Sequence, residues 1–220
     1  MNVTSTLLAG VPGLVHGFGT YEKPLPSSFY SVWQSLQPVW KQVHGNSIAC
    51  VQIARQNCGE ADGFFTFQSG LPIGVITADC VPILLASKCG KKIAAVHSGW
   101  RGTRSGILVR LWDNLRLEGE KPQDWVAAVG PAIGPCCYEV SQELADDFSR
   151  EFSSLGEDVA VPHDRKLDLQ RINLGILIEL GMADVDIIRH CTFCSQSPQY
   201  HSFRREGGGT RQYSLIVRGI

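Results

Sequence analysis

Six short apolar runs limit the fold of this 220-residue chain more than any other feature. They cover residues 73–77, 82–86, 93–97, 125–129, 186–189 and 214–217. At four or five residues each they are the length of a strand and too short for a helix. Several lack apolar and polar alternation, which predicts strands covered on both faces. Three longer segments carry the helical period instead: 104–117, 141–152 and 168–180. Their stripes are Ile107, Leu108, Leu111, Trp112 and Leu115; Leu144, Ala145, Phe148 and Phe152; and Ile172, Ile176, Leu177 and Leu180. Ser141 and Asp168 are suited to N-caps, and Gly181 to a C-cap. Strands interleave with helices, so a mixed α and β chain is expected. Residues 20–28, 118–123 and 206–211 read as loops, and none is long enough for a linker. The expectation is one domain, 1–220.

Charge and cysteine usage exclude several classes. Lys and Arg number 20 against 21 Asp and Glu, which speaks against a nucleic-acid partner. The longest apolar stretch, 71–86, contains Asp79, so no membrane span is expected. The N-terminus carries no Lys or Arg ahead of its apolar residues and does not read as a signal peptide. The eight cysteines are therefore expected as thiols in a reducing cytoplasm. Six histidines with no His-x-His pair are too few for several copper centres.

Three segments place polar residues at the ends of apolar runs: 41–45 (KQVHG), 77–80 (TADC) and 94–102 (AAVHSGWRG). Strand ends beside glycine-rich turns are where mixed sheets build sites. His44, Cys80 and His97 together offer two imidazoles and a thiolate, a set that suits Zn²⁺ with its fourth position open. Their spacing matches no short zinc motif, and a small buried cysteine with satisfied histidines fits the spacing too. In a metal-free alternative, Cys80 is a nucleophile and His97 its base. Arg101 precedes a helix whose N-terminus suits an anion, and Arg204, Arg205 and Arg211 form a second cationic cluster. Singly, each arginine reads as solvated surface. Cys191 and Cys194 have the spacing of a redox or metal pair, but no second such pair completes a four-cysteine site. They read as free thiols, and the adjacent Cys136 and Cys137 as packing residues. Cys50, Cys58 and Cys89 have no chemical context. His16, His163, His190 and His201 read as structural.

Taken together, the motifs resemble the YfiH family, also called the laccase-domain or polyphenol-oxidase family. They are KQVHG (41–45), ADGFFT (61–66), TADCVPILLA (77–86), AAVHSGWRGT (94–103), GPAIGPCCYEV (130–140), CT (191–192) and SFRREGGGTRQYSLI (202–216). The resemblance implies a single-domain α/β/β/α sandwich of the YfiH-like type, with zinc ahead of copper at His44, Cys80 and His97. It also implies purine nucleoside phosphorolysis on adenosine, inosine, guanosine or methylthioadenosine, with adenosine deaminase side activity. Some members are linked instead to peptidoglycan-precursor editing. The glycine-rich stretch that usually follows HGFGT (16–20) is missing, in a part of the family that borders the pocket. His201 stands where an aromatic is usual, and Cys194 receives no role.

On this reading Cys80, His97 and Asp79 are catalytic, with Asp79 orienting a metal ligand or moving a proton. Arg101, Arg204, Arg205 and Gln42 bind substrate or phosphate. The partners are a purine nucleoside and phosphate, and the chain is expected as a monomer or weak dimer. The alternatives are a cysteine hydrolase or amidase using Cys80 and His97, and a non-catalytic nucleotide- or metal-binding module.

Overall fold

The computed structural model describes residues 3–219. The strands in chain order are β1 (Leu14–Phe18), β2 (Val39–Lys41), β3 (Ile48–Cys50), β4 (Asn57–Glu60), β5 (Gly63–Thr66), β6 (Ile73–Thr77), β7 (Val81–Ser87), β8 (Ile93–Ser98), β9 (Trp125–Val129), β10 (Asp184–Ile187) and β11 (Gln212–Arg218). The helices are α1 (Thr6–Ala9), α2 (Trp33–Leu36), α3 (Trp100–Arg104), α4 (Ile107–Leu117), α5 (Gln142–Glu151), α6 (Leu169–Glu179) and α7 (Phe203–Glu206).

A six-stranded sheet in the order β10-β9-β7-β8-β5-β3 forms the centre of the molecule. Its two outer pairs, β10 with β9 and β3 with β5, are parallel, and its inner pairs are antiparallel. The strands lack alternation because both faces are covered. Val81, Ile83 and Leu85 of β7 pack with Leu111, Trp112, Ile172 and Leu177 of α4 and α6. Leu84 and Ala86 of the same strand face the other way, toward Phe18, Ile73, Val75 and Ile216 of the antiparallel sheet β1-β11-β6. That second sheet is covered in turn by Phe29 and Trp33, which pack on Leu215 and Val217. The layers are thus helix, sheet, sheet and helix, a mixed α and β single domain.

The six expected strands all form, and the run at 186–189 sits two residues earlier as β10. The helix expected over 104–117 starts at Ile107 as α4, because Gly106, at a φ of 73°, breaks the α-helical path, and Arg104 closes the preceding α3. Ser141 and Asp168 cap their helices through the N–H groups of Leu144 and Arg171. The strands β1 to β5 escaped the apolar pattern. Four of the five are three or four residues long, and β2 and β4 are largely exposed.

Candidate metal centre

Sheet topology brings His44, Cys80 and His97 to one end of the six-stranded sheet. His97 pairs with Pro82 across β7 and β8, so Cys80, just ahead of β7, lies beside the end of β8. Ala78, Asp79 and Cys80 carry the chain from the three-stranded sheet into the six-stranded one. The turn needs Asp79 at a φ of 86°, a strained value for a residue with a side chain. Its carbonyl accepts from Ile133 N at 2.9 Å, which helps hold the turn.

The ligand atoms of His44, Cys80 and His97 all lie within 4.8 Å of one another. The imidazoles of His44 and His97 meet edge to face at 4.8 Å between ring centres. Asp62, fully buried just ahead of β5, organises both. Its Oδ1 lies 2.7 Å from His97 Nδ1, which leaves Nε2 for a ligand. The same carboxylate accepts from the N–H groups of Val43, His44 and Gly45 at 3.1, 2.9 and 2.8 Å. Those bonds hold His44 at a φ of 60°. A β-carbon on Gly99 would stand 3.0 Å from Cys80 Sγ and 3.3 Å from His44 Cδ2, so a larger residue there crowds two ligands at once.

Electrostatics prepares the thiol. Burial alone would raise the Cys80 pKa, but hydrogen bonds to His44 and His97 and their charges outweigh it, leaving about 6. Burial works against the charged form of His97, yet Asp62 and Cys80 lift it to about 9. Burial likewise opposes the Asp62 anion, and the bond to His97 with those to the loop N–H groups holds it below the usual range. Two imidazoles and a thiolate, one imidazole oriented by a carboxylate, are a donor set that fits a zinc ion.

These groups border a cavity of about 730 Å³. Its apolar walls include Ile76, Trp100, Tyr138 and Phe203. Arg55, Arg101, Arg204 and Arg211 line it, against the single carboxylate of Asp79. Gln37, Pro38 and Val39 also border it, so the segment between HGFGT and KQVHG does reach the cavity. Thr77 contributes a buried hydroxyl with no partner among the described residues.

Three expected residues do other work. Asp79 lines the cavity, but its carboxylate accepts from Thr192 Oγ1 at 2.6 Å, Ser202 Oγ at 3.1 Å and Arg204 N at 2.7 Å. It fastens the 192–204 segment and orients no ligand of the centre; Asp62 does that. Arg205 is absent from the cavity wall, because its guanidinium donates to the carbonyls of Thr192, Phe193 and Tyr200 and to Glu206. Gln42 lines the cavity with its amide paired to both backbone groups of Ile76, at 2.7 and 2.8 Å. Arg101 stands at the cavity over the Trp100 ring, but α3 is only five residues and offers little dipole. Arg204 lies over Tyr138 at 5.5 Å. Sequence reasoning missed Asp62, which a lone Asp ahead of a strand does not mark, and it missed Arg55, which sits in no motif. His201 is buried against Tyr21, so it packs as the usual aromatic would.

Cysteines 136, 137, 191 and 194 depart from expectation as a group. Their four sulfurs converge, all within 4.8 Å of one another.

Residues 31–219 match the family model described as multi-copper polyphenol oxidoreductase laccase. Over 158 residues the chain is 35% identical to a purine nucleoside phosphorylase of Aquifex aeolicus, covering 72% of this chain and 71% of that one. It is 30% identical over 182 residues to the purine nucleoside phosphorylase YfiH of Shigella flexneri, covering 82% and 73%. Among solved structures, YlmD from Geobacillus stearothermophilus superposes with a TM-score of 0.78 at 25% identity, over 95% of this chain and 93% of that one.

Proposed function

Because the chain belongs to the multi-copper polyphenol oxidoreductase laccase family, the family of the YfiH proteins, we propose that it is a cytoplasmic purine nucleoside phosphorylase, with 1–220 as one catalytic domain. Its substrates are adenosine, inosine, guanosine or methylthioadenosine, together with phosphate. One observation carries this reading: four arginines and one carboxylate share a nucleoside-sized cavity with a two-histidine, one-cysteine donor set. An excess of cations suits phosphate, and the rings suit a purine. The family's description names copper chemistry, but among the described residues the groups that could hold a metal are one of two histidines and a cysteine and one of four cysteines, a poor match for several histidine-rich copper centres.

His44, Cys80 and His97 would hold zinc, ahead of copper, and such an ion would supply the Lewis acidity that adenosine deamination as a side activity needs. Arg101, Arg204 and Arg211 hold the phosphate. A phosphate oxygen forms the new bond to the anomeric carbon as the glycosidic bond breaks, and its electron pair leaves with the purine. Tyr138 is pushed up to about 12, first by burial and then by the charge of Cys80, so it keeps its proton and donates a hydrogen bond to the departing ring. The proton that the hydrogen phosphate gives up on forming the new bond ends on the purine, so the products are the free base and ribose 1-phosphate. Metal-loaded protein incubated with adenosine, with and without phosphate, is expected to give adenine only with phosphate and inosine in either case. No product from any of the four nucleosides would overturn the phosphorylase reading in favour of a binding module.

The alignment Asp62, His97, Cys80 favours a second reading, a cysteine hydrolase or amidase acting on a peptidoglycan precursor. It needs Cys80 unligated. Stoichiometric metal on purified protein that is lost with Cys80→Ala, together with both activities, supports the first reading. Full phosphorolysis by Cys80→Ala sinks the proposed site.

A further inference from the structure

Outside the nucleoside cavity, two chain segments cross in a way their sequences do not announce. Cys136 and Cys137 sit in a turn closed by the N–H groups of Cys137 and Tyr138 on Gly134 O, both at 2.9 Å. Cys191 and Cys194 sit in a second turn, where Ser195 N donates to Cys191 O at 3.0 Å. A parallel backbone bridge between Ala132 and Cys191 lays the turns side by side. The four Sγ atoms lie within 4.8 Å of one another, and Cys136 and Cys194 are 3.7 Å apart sulfur to sulfur. Four thiolates around one ion with arms of about 2.3 Å make a tetrahedron with edges of about 3.8 Å. A disulfide needs sulfurs about 2.05 Å apart. An iron–sulfur cluster sets its thiolates across several metal atoms and holds them wider. Gly134 N donates to Cys191 Sγ at 3.3 Å, and the N–H groups of Phe193 and Cys194 face the same sulfur, as donors do around a metal thiolate.

We propose that Cys136, Cys137, Cys191 and Cys194 bind a single zinc ion in a four-thiolate site separate from His44, Cys80 and His97. Four thiols release four protons as the ion binds, and nothing is oxidised or reduced. All four positions are filled by protein, so the site is structural. Its place says what it stabilises. The first turn leads into Ile133 and Tyr138, which line the nucleoside cavity. The second leads into Thr192, whose hydroxyl holds Asp79, and into the carbonyls that hold Arg205. An ion bound to both turns fixes that wall of the cavity.

Metal analysis of the full chain after dialysis tests this. The wild type is expected to hold two zinc ions per chain, and Cys80→Ser to hold one. The Cys136→Ser/Cys194→Ser double variant is expected to lose the four-thiolate ion. Cobalt-loaded Cys80→Ser is expected to show intense sulfur-to-cobalt charge transfer and tetrahedral d–d bands. Should the double variant not fold, alkylation of the native protein decides instead. Cys136, Cys137, Cys191 and Cys194 are expected to resist iodoacetamide until a strong chelator is added, while the exposed Cys89 reacts at once. A Cys80→Ser protein that binds no cobalt through sulfur, or a native mass two hydrogens short with Cys136 joined to Cys194, overturns the proposal. The readouts are metal content, spectra and thiol labelling, so an absence of phosphorolysis leaves them standing.

Discussion

Two carboxylates stand near the candidate metal centre and they hold different things. Asp62 binds His97 Nδ1 and the N–H groups of the 43–45 loop, so it sets the orientation of one ligand and the backbone of another. Asp79 binds Thr192, Ser202 and Arg204, none of them a ligand. Asp62→Asn removes the charge that orients the imidazole and is expected to weaken zinc binding about 10- to 100-fold. Asp79→Ala is expected to leave zinc affinity unchanged while lowering unfolding stability by about 1–3 kcal/mol, since the hydroxyls of buried Thr192 and Ser202 and the N–H of Arg204 lose their acceptor. Zinc titration and urea denaturation of both variants check this. Equal losses of affinity would refute the division of labour. His44, Cys80 and His97 were legible as a chemical set, because they stand at the ends of apolar runs and imidazole and thiolate suit one metal. Asp62 was not, since a carboxylate shows its role only through what it touches.

At the scale of elements, α1 shows how a short helix is kept. Four residues cannot sustain a helix alone. Ser5 caps it through Leu8 N and binds Asp186 of β10 through its hydroxyl at 2.8 Å. The Ser5 N–H meanwhile donates to Nε2 of the buried His16 on β1 at 2.8 Å. Burial lowers the His16 pKa to about 4, although Asp186 pulls it upward. The unfolded chain, with a histidine near 6.5, therefore binds the proton more readily than the folded one. Stability from this group is complete above pH ~6.5 and is lost as pH falls toward 4, by up to about 3 kcal/mol. Urea melts from pH 7 to 4 are expected to show that loss in the wild type and a flatter profile in His16→Gln. An equal slope in the variant would assign the acid sensitivity elsewhere. The elements read from the apolar pattern were β6 to β11 with α4 to α6, most of them buried and β10 half-buried. The short β2 and β4 escaped because largely exposed strands have no apolar stripe to announce them.

Across the whole molecule, a formal charge of -1 conceals a local excess of cations. Arg55 and Arg101 come from the first half of the chain, Arg204 and Arg211 from its end, and the layered fold brings them to one cavity. Under the proposed phosphorolysis, Arg101→Ala and Arg211→Ala are each expected to raise the KM for phosphate roughly 10- to 100-fold, the loss of one charge-assisted contact of about 1.5–3 kcal/mol. The KM for nucleoside is expected to change little. Initial rates at varied phosphate check this, and a rise confined to the nucleoside KM would move the phosphate site elsewhere.

The sequence alone determined a mixed α and β chain with strands covered on both faces, because continuous apolar runs and helical stripes state which faces must leave water, and that demand is local; the layering entered only as what the family resemblance implied. It also marked His44, Cys80 and His97 as candidate ligands by their chemistry. Tertiary structure alone decided which of them Asp62 orients, which arginines reach the cavity and which four cysteines meet. Those outcomes depend on strand register and on where loops cross, and contacts between residues up to 181 positions apart leave no trace in a local pattern.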